Sequence, residues 1–176
     1  DLTDFKSLQK AVNDVDCIIH LAACSDDADF ISKLVPSNVI GVFNVFEAAR
    51  IAGVKRFIFA SSCQSADLVG KKEHISVNDR FPTDHYGLTK LWAEDLAQMY
   101  TRRFGIAVLV IRLGWVVRSL SEFEHMKSLP GGKELFLSHN DLREFFRCCL
   151  HSPPTPFSIV YAFSKQKGPE IFDMEP

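Results

Sequence analysis

Tyr86 and Lys90 stand four residues apart near the start of a stretch with helical apolar spacing, so a helix places both on one face. A phenol is a poor base at neutral pH because its ordinary pKa is about 10. An ammonium held beside it favours the phenolate, and the oxygen then becomes a usable proton acceptor. Ser62, just past an apolar run, offers a hydroxyl to bind and align the same substrate oxygen. The three side chains suit oxidation of an alcohol, with the phenolate taking the hydroxyl proton while a nicotinamide takes the hydride. Spacing alone does not establish this, because Tyr-x-x-x-Lys pairs on exposed helices are common. The surrounding pattern has to decide.

That pattern is an alternation of short apolar runs and helical periods. Residues 16–23, 55–61, 106–112 and 157–163 read as strands buried on both faces. Phe5, Leu8, Val12 and Val15 repeat at helical spacing behind Thr3, an expected N-cap. A helix is predicted over 38–52, with Val42, Phe43, Phe46 and Ala49 on one side and Gly53 as its stop. A longer helix is predicted over 83–104, closed by Gly105. Another spans 138–151, with Leu142, Phe145, Phe146 and Cys149 on one face. The alternation predicts an α/β fold, a Rossmann-like doubly wound parallel sheet with helices on both faces, as a single domain over 1–176. Ligands bind at the carboxyl ends of such strands. Small and polar residues cluster there, at 22–25, 61–64 and 114–115. The long connections 63–82 and 115–137 leave the same ends and are expected to shape a substrate pocket.

Composition excludes several other classes. The net charge of -2 and the lack of a basic stripe argue against nucleic-acid binding, and Lys71-Lys72 reads as a solvated loop. No uncharged apolar run approaches the roughly 18 residues of a membrane span, and no leader pattern is seen. Five cysteines without a C-x-x-C pair read as free thiols of a reducing compartment, so a cytoplasmic protein is expected. The six histidines are scattered, which gives no metal site. Cys63 has no adjacent histidine to activate it and reads as a pocket-lining thiol. Cys148-Cys149 reads as a buried helix face, and His20 as a structural residue at a strand end.

The segments DVDCIIHLAA (14–23), NVIGVFNVFEAAR (38–50), GVKRFIFASS (53–62), YGLTKLWAEDLA (86–97) and VIRLGWV (110–116) resemble the extended short-chain dehydrogenase/reductases, the NAD-dependent epimerase/dehydratase family, in order and approximate spacing. The resemblance implies Ser62, Tyr86 and Lys90 as the catalytic set, with Lys90 also holding the nicotinamide ribose of NAD or NADP. It implies further that Leu21, Ala22 and Ala23 pass under the cofactor. Asn38, Ala60, Ser61 and Leu113 would lie on the cofactor side, and Asp1-Leu2 beside the adenine.

Within that family the text is similar to uronate dehydrogenases, which oxidise a hexuronic acid at its C1 hydroxyl to a lactone. LFLSHNDLREFF (135–146) and FSIVYAFS (157–164) carry this likeness. It implies that Ser25, Ser62, Cys63, Gln64 and Trp115 face a sugar substrate. Cys63-Gln64 and Trp115 depart from the branch, which tends to place Asn-His and Ser at these positions. Trp115 either stacks on a sugar face or packs in the core, and Arg118 or Lys127 would hold a substrate carboxylate. None of the nine glycines forms the family's G-x-x-G-x-x-G loop, so the expectation is a chain truncated at its front, lacking the first βαβ unit. The alternatives are a sugar-nucleotide epimerase or dehydratase of the same build, and a non-catalytic nucleotide-sensing protein. Relatives often dimerise through the helices at 38–52 and 83–104, and Phe43, Val45, Phe46, Trp92 and Met99 supply apolar material for a homodimer.

Overall fold

The computed structural model describes residues 1–25, 28–66 and 75–165. Four apolar runs form the strands β1 (Cys17–His20), β2 (Arg56–Ser62), β3 (Ala107–Leu113) and β4 (Phe157–Ala162). They make one parallel sheet in the order β1-β2-β3-β4. The alternation of side chains along each strand gives the sheet two apolar faces. Phe57 and Phe59, beside Val108 and Val110, meet α2 (Val42–Ala52) and α3 (His85–Phe104) on one face. Ile58 and Ile111 meet α5 (His139–His151) through Phe145, Phe146 and Cys149 on the other. Helices therefore cover both faces, as expected of a parallel sheet.

Helix ends follow local chemistry. Gly53 and Gly105 close α2 and α3 with φ of 74° and 71°, the left-handed conformation a glycine adopts without a Cβ clash. The cap of α1 (Phe5–Ala11) is Asp4 rather than Thr3: its carboxylate accepts the Ser7 N–H at 3.1 Å. The helix predicted from Thr83 begins at His85, because the Asp84 carboxylate accepts the Gly87 N–H at 2.6 Å. Ser138 caps α5 as expected.

Further expectations need correction. The helix placed over 38–52 is preceded by a wide π-type helix over Phe30–Gly41 that runs directly into α2. Asp29 caps it, and Pro36 sits inside it, where an ordinary α-helix would be broken. The connection 115–137 is not an open loop, since α4 (Leu120–Ser128) lies within it and Trp115 bridges to Phe136. Of the connection 63–82, Cys63–Ser65 forms one tight turn, while 67–74, with Lys71-Lys72, lie outside the described residues. Cys148 is exposed, and only Cys149 faces the core. Val45 and Phe46 pack under the sheet, whereas Phe43, Trp92 and Met99 stay exposed. Among the described residues no helix is long and apolar enough to cross a membrane.

Candidate active site

The carboxyl ends of the strands and the first turn of α3 enclose a cavity of about 680 Å³. Ser62, the last residue of β2, lines it, and so do Tyr86 and Lys90 from α3. The helix brings Tyr86 and Lys90 together as the spacing required, with the Lys90 nitrogen 5.6 Å from the Tyr86 ring centre. Lys90 is buried, and its ammonium donates to the Ala60 carbonyl at 2.8 Å, which anchors α3 to the strand carrying Ser62. Burial disfavours the charged ammonium and lowers its pKa to about 8, with Glu94 pulling the other way. Ser62 accepts the Gln64 N–H at 3.2 Å, and the Gln64 amide donates to Asp84 at 3.3 Å, so the β2 end is tied to the α3 cap.

Of the other expected positions, Leu21, Ser25, Ala60, Ser61, Cys63, Gln64, Leu113 and Trp115 line this cavity. Asp1, Leu2, Ala22, Ala23 and Asn38 do not. The Asp1 carboxylate accepts the Thr3 N–H of its own turn at 2.9 Å, and the Leu2 carbonyl accepts from Asn44 at 2.9 Å. Asn38 is buried, receives the Cys24 N–H at 2.8 Å and donates to the Cys24 carbonyl at 2.9 Å. It also donates to Thr89 on α3 at 3.2 Å. Asn38 therefore holds the chain leaving β1 in place against α3 rather than lining the cavity. Burial pushes the Cys63 thiol up to about 12, which suits an inert wall and not a nucleophile. Lys127 pairs with Glu124 at 2.9 Å and lies outside the cavity wall, whereas Arg118 lines it.

Two clusters escaped the reading of the sequence. Glu94 and Arg112 form an ion pair at 2.8 Å with side chains 2% and 0% exposed. The Glu94 carboxylate also accepts from Ser61 and, at 3.0 Å, from Ser65. Arg112 reaches the Tyr161 hydroxyl at 2.9 Å and the Asp79 carbonyl at 3.0 Å. An arginine inside an apolar strand was the available signal, because a charge buried on both faces requires a partner. Glu94, one turn beyond Lys90, is that partner. The second cluster joins Glu122 to Trp115 and Arg118 at the cavity wall, with His125 alongside. Among the described residues no group of His, Cys, Asp and Glu could hold a metal.

The chain is 36% identical over 168 residues to the uronate dehydrogenase of Pseudomonas putida, a match covering 95% of this chain and 60% of that protein. It is 34% identical to the uronate dehydrogenase of Pseudomonas syringae pv. tomato, over 95% of this chain and 58% of that one. The chain thus spans about three fifths of the length of these curated relatives. The crystal structure of a glucuronic acid dehydrogenase from Chromohalobacter salexigens superposes with a TM-score of 0.86 at 29% identity, covering 99% of this chain and 63% of that one. The model of the NAD dependent epimerase/dehydratase family matches residues 1–125, which take in β1, β2, β3 and all three of Ser62, Tyr86 and Lys90. Fold, site and family match agree, and the chain belongs to the NAD dependent epimerase/dehydratase family.

Proposed function

We propose that this chain carries the catalytic residues of an NAD(P)-dependent oxidoreductase that oxidises a sugar or sugar-acid hydroxyl, at C1 to a lactone, and its similarity to proteins named uronate dehydrogenase supports the sugar-acid class. The observation that supports it is the convergence of Ser62, Tyr86 and a buried Lys90 on one cavity at the carboxyl ends of the sheet. In this reading the Ser62 hydroxyl orients the substrate oxygen and the Tyr86 oxygen takes its proton. Lys90 favours the phenolate by its charge and stays in register through Ala60.

The residues present fit the nicotinamide end of a dinucleotide. Apolar Leu21, Ala60 and Leu113 lie around a cavity that also holds the Lys90 ammonium. Those residues would hold the ring and its ribose, and the bound cofactor supplies the hydride acceptor. The segment fixed by Asn38, together with Asp1 and Leu2, would contact the remainder. α2 and α3 would form the interface of a homodimer through Phe43, Trp92 and Met99, and a cytoplasmic location completes the reading.

The test is a screen of the full-length protein with NAD and NADP against aldoses and hexuronates, following the absorbance of the reduced cofactor. Turnover is expected with at least one sugar. Tyr86→Phe should lower kcat by roughly 100-fold or more while leaving cofactor affinity in place. Undiminished turnover in that variant, or none with any sugar, rejects the proposal.

A further inference from the structure

The acid at the start of α4 turns into the cavity instead of out to water. Ser119 caps the helix by accepting the Glu122 N–H at 3.1 Å, which puts Glu122 at the position from which an acid reaches back over the helix start. One of its oxygens accepts the Trp115 indole N–H at 2.8 Å and an Arg118 guanidinium N–H at 3.1 Å. The other accepts the Arg118 Nε–H at 3.1 Å and the Arg118 backbone N–H at 2.8 Å. Four donors converge on one carboxylate whose side chain is only 16% exposed. Arg118 first, then Trp115, holds its pKa down to about 2, so it is ionised wherever the protein works.

Arg118 has the planar fork that recognises carboxylates in pairs of hydrogen bonds. That fork is filled by the chain's own Glu122, and a further guanidinium nitrogen reaches the Ser25 hydroxyl at 3.5 Å. A hexuronate entering this end of the cavity would set a second carboxylate beside the first, with the matching donors already taken. A sugar without a carboxylate meets something different: an acceptor for its hydroxyl hydrogens and an indole on which its apolar C–H face can lie. The other charged lining residue among those described is Lys90, which the reaction uses.

We infer that this site takes an uncharged aldose and that Glu122, held by Trp115 and Arg118, is the specificity-determining residue that turns hexuronates away. The inference deepens the sugar-oxidoreductase reading and rests on it for turnover, while binding tests it separately.

The chain has two tryptophans, so Trp92→Phe in the full-length protein leaves Trp115 as its reporter within this chain. Its fluorescence is titrated, with NAD present, by neutral hexoses and pentoses and by the matching hexuronates. Aldoses should bind at least about tenfold more tightly than hexuronates, the scale of a like-charge contact. Glu122→Gln in the same background should shrink that ratio about tenfold or reverse it, because the amide no longer sets a negative charge beside a substrate carboxylate. Hexuronates binding as tightly as aldoses, binding of neither class, or a ratio unmoved by Glu122→Gln each overturns the inference. The ratio with Glu122 in place decides the matter even if the variant does not fold. Binding as expected without cofactor reduction rejects the oxidoreductase reading and leaves the specificity intact.

Discussion

Glu94 shows how much of the proposed catalytic site depends on residues that do not line its cavity. Its carboxylate gathers Ser61, Ser65 and Arg112, and Ser65 in turn donates to the Ser62 carbonyl at 2.8 Å. The strand end that presents Ser62 is therefore braced from α3. Replacing Glu94 with Gln leaves the Arg112 charge buried and uncompensated, which should cost about 3–5 kcal/mol in urea unfolding. A cost below about 1 kcal/mol would mean that the pair is not the brace described. His20 makes a second case. It is buried against Phe57 and Phe59, its Nε2 has no hydrogen-bond partner among the described residues, and burial, helped by Lys90, lowers its pKa to about 4. The folded value lies below the ordinary 6.5, so between pH 6.5 and 4 the unfolded chain binds more protons. Stability present above pH 6.5 is thus lost as the pH falls toward 4, and His20→Phe should flatten that part of the denaturation curve. An unchanged acid limb in the variant would clear His20 of this role. Ser62, Tyr86 and Lys90 were legible because the i,i+4 spacing puts two of them on one helix face and the apolar run ending at Ser62 puts the third at a strand end. Glu94 was not, because its partners Ser61, Ser65 and Arg112 come from other segments and charge pairing leaves no local pattern, whereas Glu122 pairs within its own segment, with Arg118 four residues back.

At the level of elements, the site depends on how closely α3 approaches the turn after β2. A Cβ at Gly87 would lie 2.2 Å from the Gln64 carbonyl oxygen and 2.9 Å from its carbon, both rigid backbone. Only glycine lets the helix carrying Tyr86 sit this close to the turn that follows Ser62. Gly87→Ala should destabilise the fold by about 1–3 kcal/mol and lower kcat, since the helix start must move away from Ser62. A variant with wild-type stability and rate would show that the approach is not required. The strands, α2, α3 and α5 were readable because apolar runs, helical periods and two glycine stops agree with one another. The π-type helix was hidden by Pro36, which reads locally as a break, and tertiary anchoring of Asn38 overrides that preference. The helix α4 was missed because its apolar pattern is weak, although Ser119-x-x-Glu122 is a capping signature. Glu122 lies in the first turn of that helix and shares its weak signal.

For the whole molecule, a two-sided sheet should hide its large apolar side chains, yet one side of the α2–α3 layer does not. Leu88, Trp92 and Met99 recur along α3 at helical spacing and stay exposed, with Ile40 and Phe43 exposed at the adjoining junction of the π-type helix and α2. Their neighbours Val45, Phe46, Ala93 and Ala97 face the sheet, so these helices are apolar on two sides. Exposed apolar side chains on neighbouring helices are what the proposed interface would use, and a twofold axis would let the same pair of helices meet its own copy. In the homodimer proposed above, a carboxylate placed at the centre of that face would be buried beside its symmetry mate. Trp92→Asp should therefore convert the full-length protein from dimer to monomer in sedimentation velocity at micromolar concentration. The cavity side of α3 carries Tyr86 and Lys90, so the aspartate leaves those two residues in place and sugar oxidation per site should persist. A parent protein that already sediments as a monomer, or a variant that remains dimeric, would assign these exposed residues to something other than self-association.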